Sequence, residues 1–130
     1  MAKLYFDSRD ELTCIDSDLV AAVQANGNYS RVIYITKKEI MLTYGISKIE
    51  EILKSYNGKR NRFIRLGRSI IVNHSFLQKI DILKQNVVLS DGDKNELRIT
   101  IPKQILKSYK NATIKSIKLK EEQYENNYSG

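Results

Sequence analysis

The sequence predicts a mainly β domain with one or two short helices. Three observations predict it. Apolar residues recur in short extended runs separated by Asn, Asp and Gly turn signals. Only two stretches carry the three- and four-residue apolar spacing of a helix. And 130 residues with 42% apolar side chains suit one domain with one filled core, rather than a disordered chain.

Taken in order, Lys3 to Phe6 and Leu12 to Ile15 read as short strands, and Leu19 to Val23 is apolar enough for a buried one. Asn26-Gly27-Asn28 is a turn, because Asn and Gly tolerate the positive φ of hairpin positions. Tyr29 to Thr36 follows as a strand rich in β-branched and aromatic residues. Lys37-Lys38 makes a tight connection to a returning strand, Glu39 to Leu42. Ile46, Ile49, Ile52 and Leu53 then mark a helix, stopped at Asn57-Gly58. Phe63 to Leu66, Ser69 to Asn73, Ile80 to Leu83, Asn86 to Leu89 and Glu96 to Ile101 look extended, with Ser90-Asp91-Gly92-Asp93 as a hairpin turn. Pro102 opens a second short helix running to about Tyr109. The expected domain is 1–111. Residues 112–130 are expected to add an edge strand on Ile114, Ile117 and Leu119, then a polar, mobile tail from Glu121 to Gly130.

The composition argues against most chemistry. One His and one Cys cannot supply a tetrahedral metal site, and Cys14 alone makes no disulfide framework. His74 has no nucleophile motif around it and reads as a structural hydrogen-bonding residue. Gly45, Gly58 and Gly67 lack the spacing of a phosphate loop, and the pairs Asp16/Asp18 and Asp91/Asp93 sit in turn-like stretches. The expectation is a non-enzyme without metal or cofactor. No apolar run is long enough to span a bilayer, and the N-terminus turns polar too soon for a secretory signal, so a cytoplasmic protein without a membrane partner is expected.

Charge points to a polyanion. The net charge is +7, from 22 Lys plus Arg against 15 Asp plus Glu. Nearly all of the excess lies in residues 37–68, where Lys37, Lys38, Lys48, Lys54, Lys59, Arg60, Arg62, Arg65 and Arg68 face only Glu39, Glu50 and Glu51. Within it, arginines recur at 62, 65 and 68 among the core-forming Phe63, Ile64, Leu66 and Ile70 to Val72. Gly67-Arg68-Ser69 is the loop joining two strands, and a loop on rigid strands can carry a side chain into a groove. A plain hairpin with solvated arginines fits the spacing equally well.

Three segments resemble the LytTR DNA-binding domain of bacterial transcription regulators of the LytR/AlgR type. Asp18 to Val32, with its Gly27-Asn28-Tyr29-Ser30, looks like the family's opening strand and turn; Arg62 to Asn73 is similar to its most recognisable motif; Ile101 to Lys107 matches its closing segment. The resemblance spans about residues 12–109. It implies elongated, packed antiparallel sheets, with loops rather than a recognition helix entering the major groove of double-stranded DNA. It also implies binding to repeated sites, as a homodimer. Carried over by position, the DNA-facing residues are Thr43 and Tyr44, Gly67 and Arg68, and Lys103 and Gln104. Arg68 is the first choice for base readout, with Lys48, Arg62, Lys103 and Lys107 on phosphates. Gly67 stands where the family commonly has His, which is expected to loosen the loop. Pro102-Lys103-Gln104 replaces Ser-Arg-Arg, and Tyr44-Gly45 sits where Arg or His is frequent. With no receiver domain ahead of the first strand, the chain reads as a stand-alone regulator or an excised effector domain. The alternative is a protein-interaction module with degenerate DNA loops. Binding of RNA or single strands through Tyr29, Tyr34 and Phe63 is a third reading.

Overall fold

The computed structural model describes residues 3–129, with the side chains of Arg60 and 122–129 excepted. Its frame is a five-stranded antiparallel sheet built around the two most apolar stretches of the chain. These are β3 (Val20–Asn26) and β7 (Ile70–Asn73), which pair Ala22 with Val72, Val23 with Ile71 and Gln24 with Ile70. Outside them lie β4 (Tyr29–Tyr34) and β5 (Glu39–Leu42) on one side and β6 (Phe63–Arg65) on the other, in the order β5-β4-β3-β7-β6.

Both faces of this sheet are covered, so its central strands read as continuous apolar runs rather than alternating ones. On one face, Val23 and Ile71 join a core with Leu4, Phe6 and Ile15 of the hairpin β1 (Lys3–Asp7) and β2 (Leu12–Asp16). The helix α1 (Ile46–Asn57) closes that core with Ile46, Ile49 and Leu53, one stripe of the helix. It ends at Gly58, whose φ of 53° lets the chain turn out, as the sequence predicts. On the other face, Ala22, Ile70 and Val72 meet Val87, Leu89 and Ile101, which belong to a three-stranded antiparallel sheet and its exit. That sheet is β8 (Leu77–Asp81), β9 (Asn86–Ser90) and β10 (Glu96–Thr100), with β9 in the middle. A bulge in β3 puts the extra residue, Ala21, on the same side as Ala22, so two consecutive residues enter the second core.

The mainly β class and the first helix agree with the sequence reading, while two expectations are corrected. The strand read at Ile80 to Leu83 lies earlier. Asp81 pairs with Asn86, residues 82–85 form a turn in which Asp81 Oδ1 accepts the Lys84 N–H at 3.0 Å, and Leu83 stands out in solvent. The larger correction is the second helix. Instead of a short helix followed by an edge strand, α2 (Lys103–Ser129) runs for 27 residues through Ile114, Ile117 and Leu119. Between Pro102 and Gly130 there is no Gly or Pro to end it, and a helix once nucleated extends at little cost. Among its described side chains, Leu106 and Tyr109 are buried, and every one from Ile114 to Glu121 is exposed. The tail expected from Glu121 onward is helical in backbone to Ser129; Gly130 lies outside the described residues.

Candidate nucleic-acid interface

Strand direction decides which loops share an end of the central sheet. β3 ends at Asn26 and β4 starts at Tyr29, so their turn lies at one end. Leu42, paired with Ser30, delivers the β5–α1 loop, Thr43 to Gly45, to the same end. Arg65 and Ile71 are paired, so the β6–β7 loop arrives there too, and the Ala25 N–H donates to Ser69 O at 2.8 Å. The β10–α2 junction joins them across a cleft of about 190 Å³ lined by Gln24, Gly67, Arg68, Thr100, Pro102 and Ile105. The three loops assigned by position therefore sit together, with the Asn26–Tyr29 turn beside them.

The β6–β7 loop is the best-held of these. Leu66 N–H donates to Ile70 O at 2.9 Å, leaving Gly67, Arg68 and Ser69 as the loop proper. Arg65 locks it from below. Its Nη1 reaches Glu50 Oε1 on α1 at 3.0 Å, while Nε donates to Gly67 O at 3.0 Å and Nη2 to Arg68 O at 2.7 Å. One guanidinium thus ties two loop carbonyls to a helix, using the fixed fork geometry that Lys lacks. Gly67 has φ 82°, and a Cβ there would lie 2.9 Å from Ile105 Cδ1 at the start of α2. The expected loosening by Gly67 is therefore corrected: glycine is what lets this loop close against α2. Arg68 is left exposed, and no hydrogen bond or ion pair to its guanidinium is found among the described residues.

Both helices begin at this end. α1 starts after Gly45, and neither α1 nor α2 has an acidic residue in its first turn, so both present uncompensated N–H groups on this side. Lys103, Gln104 and Lys107 are exposed on the first turns of α2. Lys48 is exposed on the first turn of α1 and pairs with Glu51 at 3.5 Å. Thr43 is exposed, but Tyr44 is turned inward. Its ring meets Phe6 edge-on at 5.5 Å, its hydroxyl donates to Asp7 O, and its carbonyl accepts from Ser30 Oγ at 2.7 Å.

Arg62 is not brought to this end. It precedes β6 at the opposite end of the sheet, where its guanidinium pairs with Asp18 at 3.0 Å and its carbonyl accepts the His74 N–H. Lys37 and Lys38, in the β4–β5 connection, lie at that far end as well. His74 is structural, with Nδ1 2.6 Å from the Tyr109 hydroxyl. Burial and the charge of Lys120 hold its pKa below the ordinary value, and burial pushes that of Tyr109 well up. The basic middle segment is thus split between two ends.

The turn between Asn26 and Tyr29 is a part of this surface to which the sequence reading assigned no contact with double-stranded DNA. Pairing of β3 with β7 sets this turn next to Arg68.

A family model described as the LytTr DNA-binding domain matches residues 10–113. Among solved structures, the chain is similar to the LytTr DNA-binding domain of a protein from Bacillus cereus described as a methyl-accepting/DNA response regulator. The TM-score is 0.56 at 18% identity, covering 88% of this chain and 97% of that one. Comparison with the curated proteins finds no match.

Proposed function

This chain belongs to the LytTr DNA-binding domain family, and from that premise we propose that it binds double-stranded DNA sequence-specifically, as a transcription regulator. The end of the central sheet described above enters the major groove by its loops, with Arg68 reading a base edge. The observation that carries this reading is the Arg65 lock. It fixes the main chain on both sides of an exposed guanidinium that is unpaired among the described residues, set between two helix starts. An Arg so held can donate two hydrogen bonds to guanine O6 and N7. Lys48, Lys103 and Lys107 flank it as phosphate contacts that set register without reading sequence.

The test starts by selecting preferred duplexes from a random pool. Wild-type and Arg68→Ala proteins are then compared on the selected site and on random DNA. Loss of Arg68 is expected to cut the discrimination by roughly 1–3 kcal/mol while leaving binding to random DNA nearly intact. Unchanged discrimination would remove Arg68 from base readout. If no duplex binds above the non-specific level, the domain is instead a protein-interaction module.

A further inference from the structure

Between the edge strand β6 and the helix α2 lies a groove that the DNA reading leaves unused. Its volume is about 420 Å³, within the range of small-molecule sites. Ile64 and Leu66 form one wall and Ile105 part of the other, and all three belong to the second core or pack against it. Further along α2 the groove meets Ser108, Ala112 and Ser116, spaced four residues apart on one side of the helix. These side chains are too short to reach β6 and fill the space.

The polar groups around this groove favour a negative charge. No Asp or Glu is among its lining residues. Burial keeps Tyr109 neutral, and its hydroxyl meets His74 Nδ1 at 2.6 Å. With the Tyr109 O–H donating there, the neutral imidazole carries its proton on Nε2, for which no partner is found among the described residues. Lys120 continues the same face of α2, since 109, 113, 116 and 120 recur at three- and four-residue spacing. Its charge reaches His74, whose pKa it helps to lower. One end of an apolar groove thus holds a hydrogen-bond donor and a cation.

The other end touches the loop that carries Arg68. Leu66 and Ile105 also line the cleft beside Gly67 and Arg68, and Ile105 Cδ1 is the atom that a Cβ on Gly67 would meet. The groove and the seat of the loop therefore share two walls.

We propose that this groove binds a small organic acid, with its apolar body between Ile64 and α2 and its carboxylate at the His74 and Lys120 end. Occupancy shifts the Gly67–Ser69 loop through Leu66 and Ile105. That the ligand is an effector of DNA binding rests on the proposed function; its binding does not.

The experiment uses the full chain without DNA, so its failure is distinct from failure of the DNA reading. Amide NMR spectra follow titration with naphthylacetate and with its neutral counterpart, naphthylacetamide. The acid is expected to bind with a Kd of about 1 mM or tighter. It should move the amides of Ile64, His74 and Thr113 and, through the shared walls, those of Gly67 and Arg68. The neutral amide is expected to bind about threefold more weakly or worse, and Lys120→Gln to abolish that difference. Ala112→Trp, at an exposed helix position, fills the groove and is expected to weaken the acid about tenfold or more. The same spectra show that each variant is folded. Absence of saturable shifts, shifts that map away from the groove, or binding that survives Ala112→Trp overturns the site. Equal binding of acid and amide overturns the ligand class. A preference that persists in Lys120→Gln overturns the placement of the carboxylate, and unmoved Gly67 and Arg68 amides overturn the link to the loop.

Discussion

Three arginines at equal spacing have three different fates. Arg62 is held by Asp18, Arg65 is turned into the loop's main chain and Glu50, and only Arg68 is free to meet a partner. Spacing showed the cluster but could not rank its members, because the deciding partners lie 44 and 15 residues away in sequence. Gly67 is a similar case. A missing side chain reads as slack in a sequence, yet here it is a fit. Gly67→Ala would have to adopt φ near 82° and push Ile105 aside. It is expected to cost about 1–2 kcal/mol in urea unfolding from the backbone conformation alone. Wild-type stability in that variant would show that the loop opens freely from α2.

At the scale of elements, most of the fold was legible because local pattern and tertiary context agree. The stripe Ile46, Ile49, Leu53 and its Asn57-Gly58 stop are recovered as α1. The run around Val20 to Val23 is a buried strand because both of its faces are covered. What misled was α2 beyond Tyr109. Ile114, Ile117 and Leu119 are exposed and belong to neither core among the described residues, and their spacing follows neither a core stripe nor a strand. The border between its two halves is testable. Leu106→Ala, at a fully buried position, is expected to destabilise the fold by roughly 2–5 kcal/mol. Ile117→Ala, measured in high salt, is expected to stay within about 0.5 kcal/mol of wild type. Equal costs at both positions would mean that the helix is packed along its length.

Over the whole molecule, strand direction sorts charge in a way that composition cannot. The sequence placed the excess in residues 37–68, but the sheet sends Lys37, Lys38 and Arg62 to one end and Lys48 and Arg68 to the other. Lys103 and Lys107, outside that segment, join the second group through the start of α2. Salt dependence of DNA binding separates the ends. Lys103→Ala is expected to reduce the slope of log affinity against log salt by about 0.9, the share of one phosphate contact, whereas Arg62→Ala is expected to leave it unchanged. A smaller slope from Arg62→Ala would mean that both ends touch DNA. The lock beneath the loop has one more consequence. Arg65 grips the carbonyl oxygens of residues 67 and 68, and a carbonyl is the one group every amino acid has. The residue at 68 can therefore be exchanged without disturbing the mount that holds it. Under the proposed function, target preference would then change through this one side chain without altering the loop that carries it.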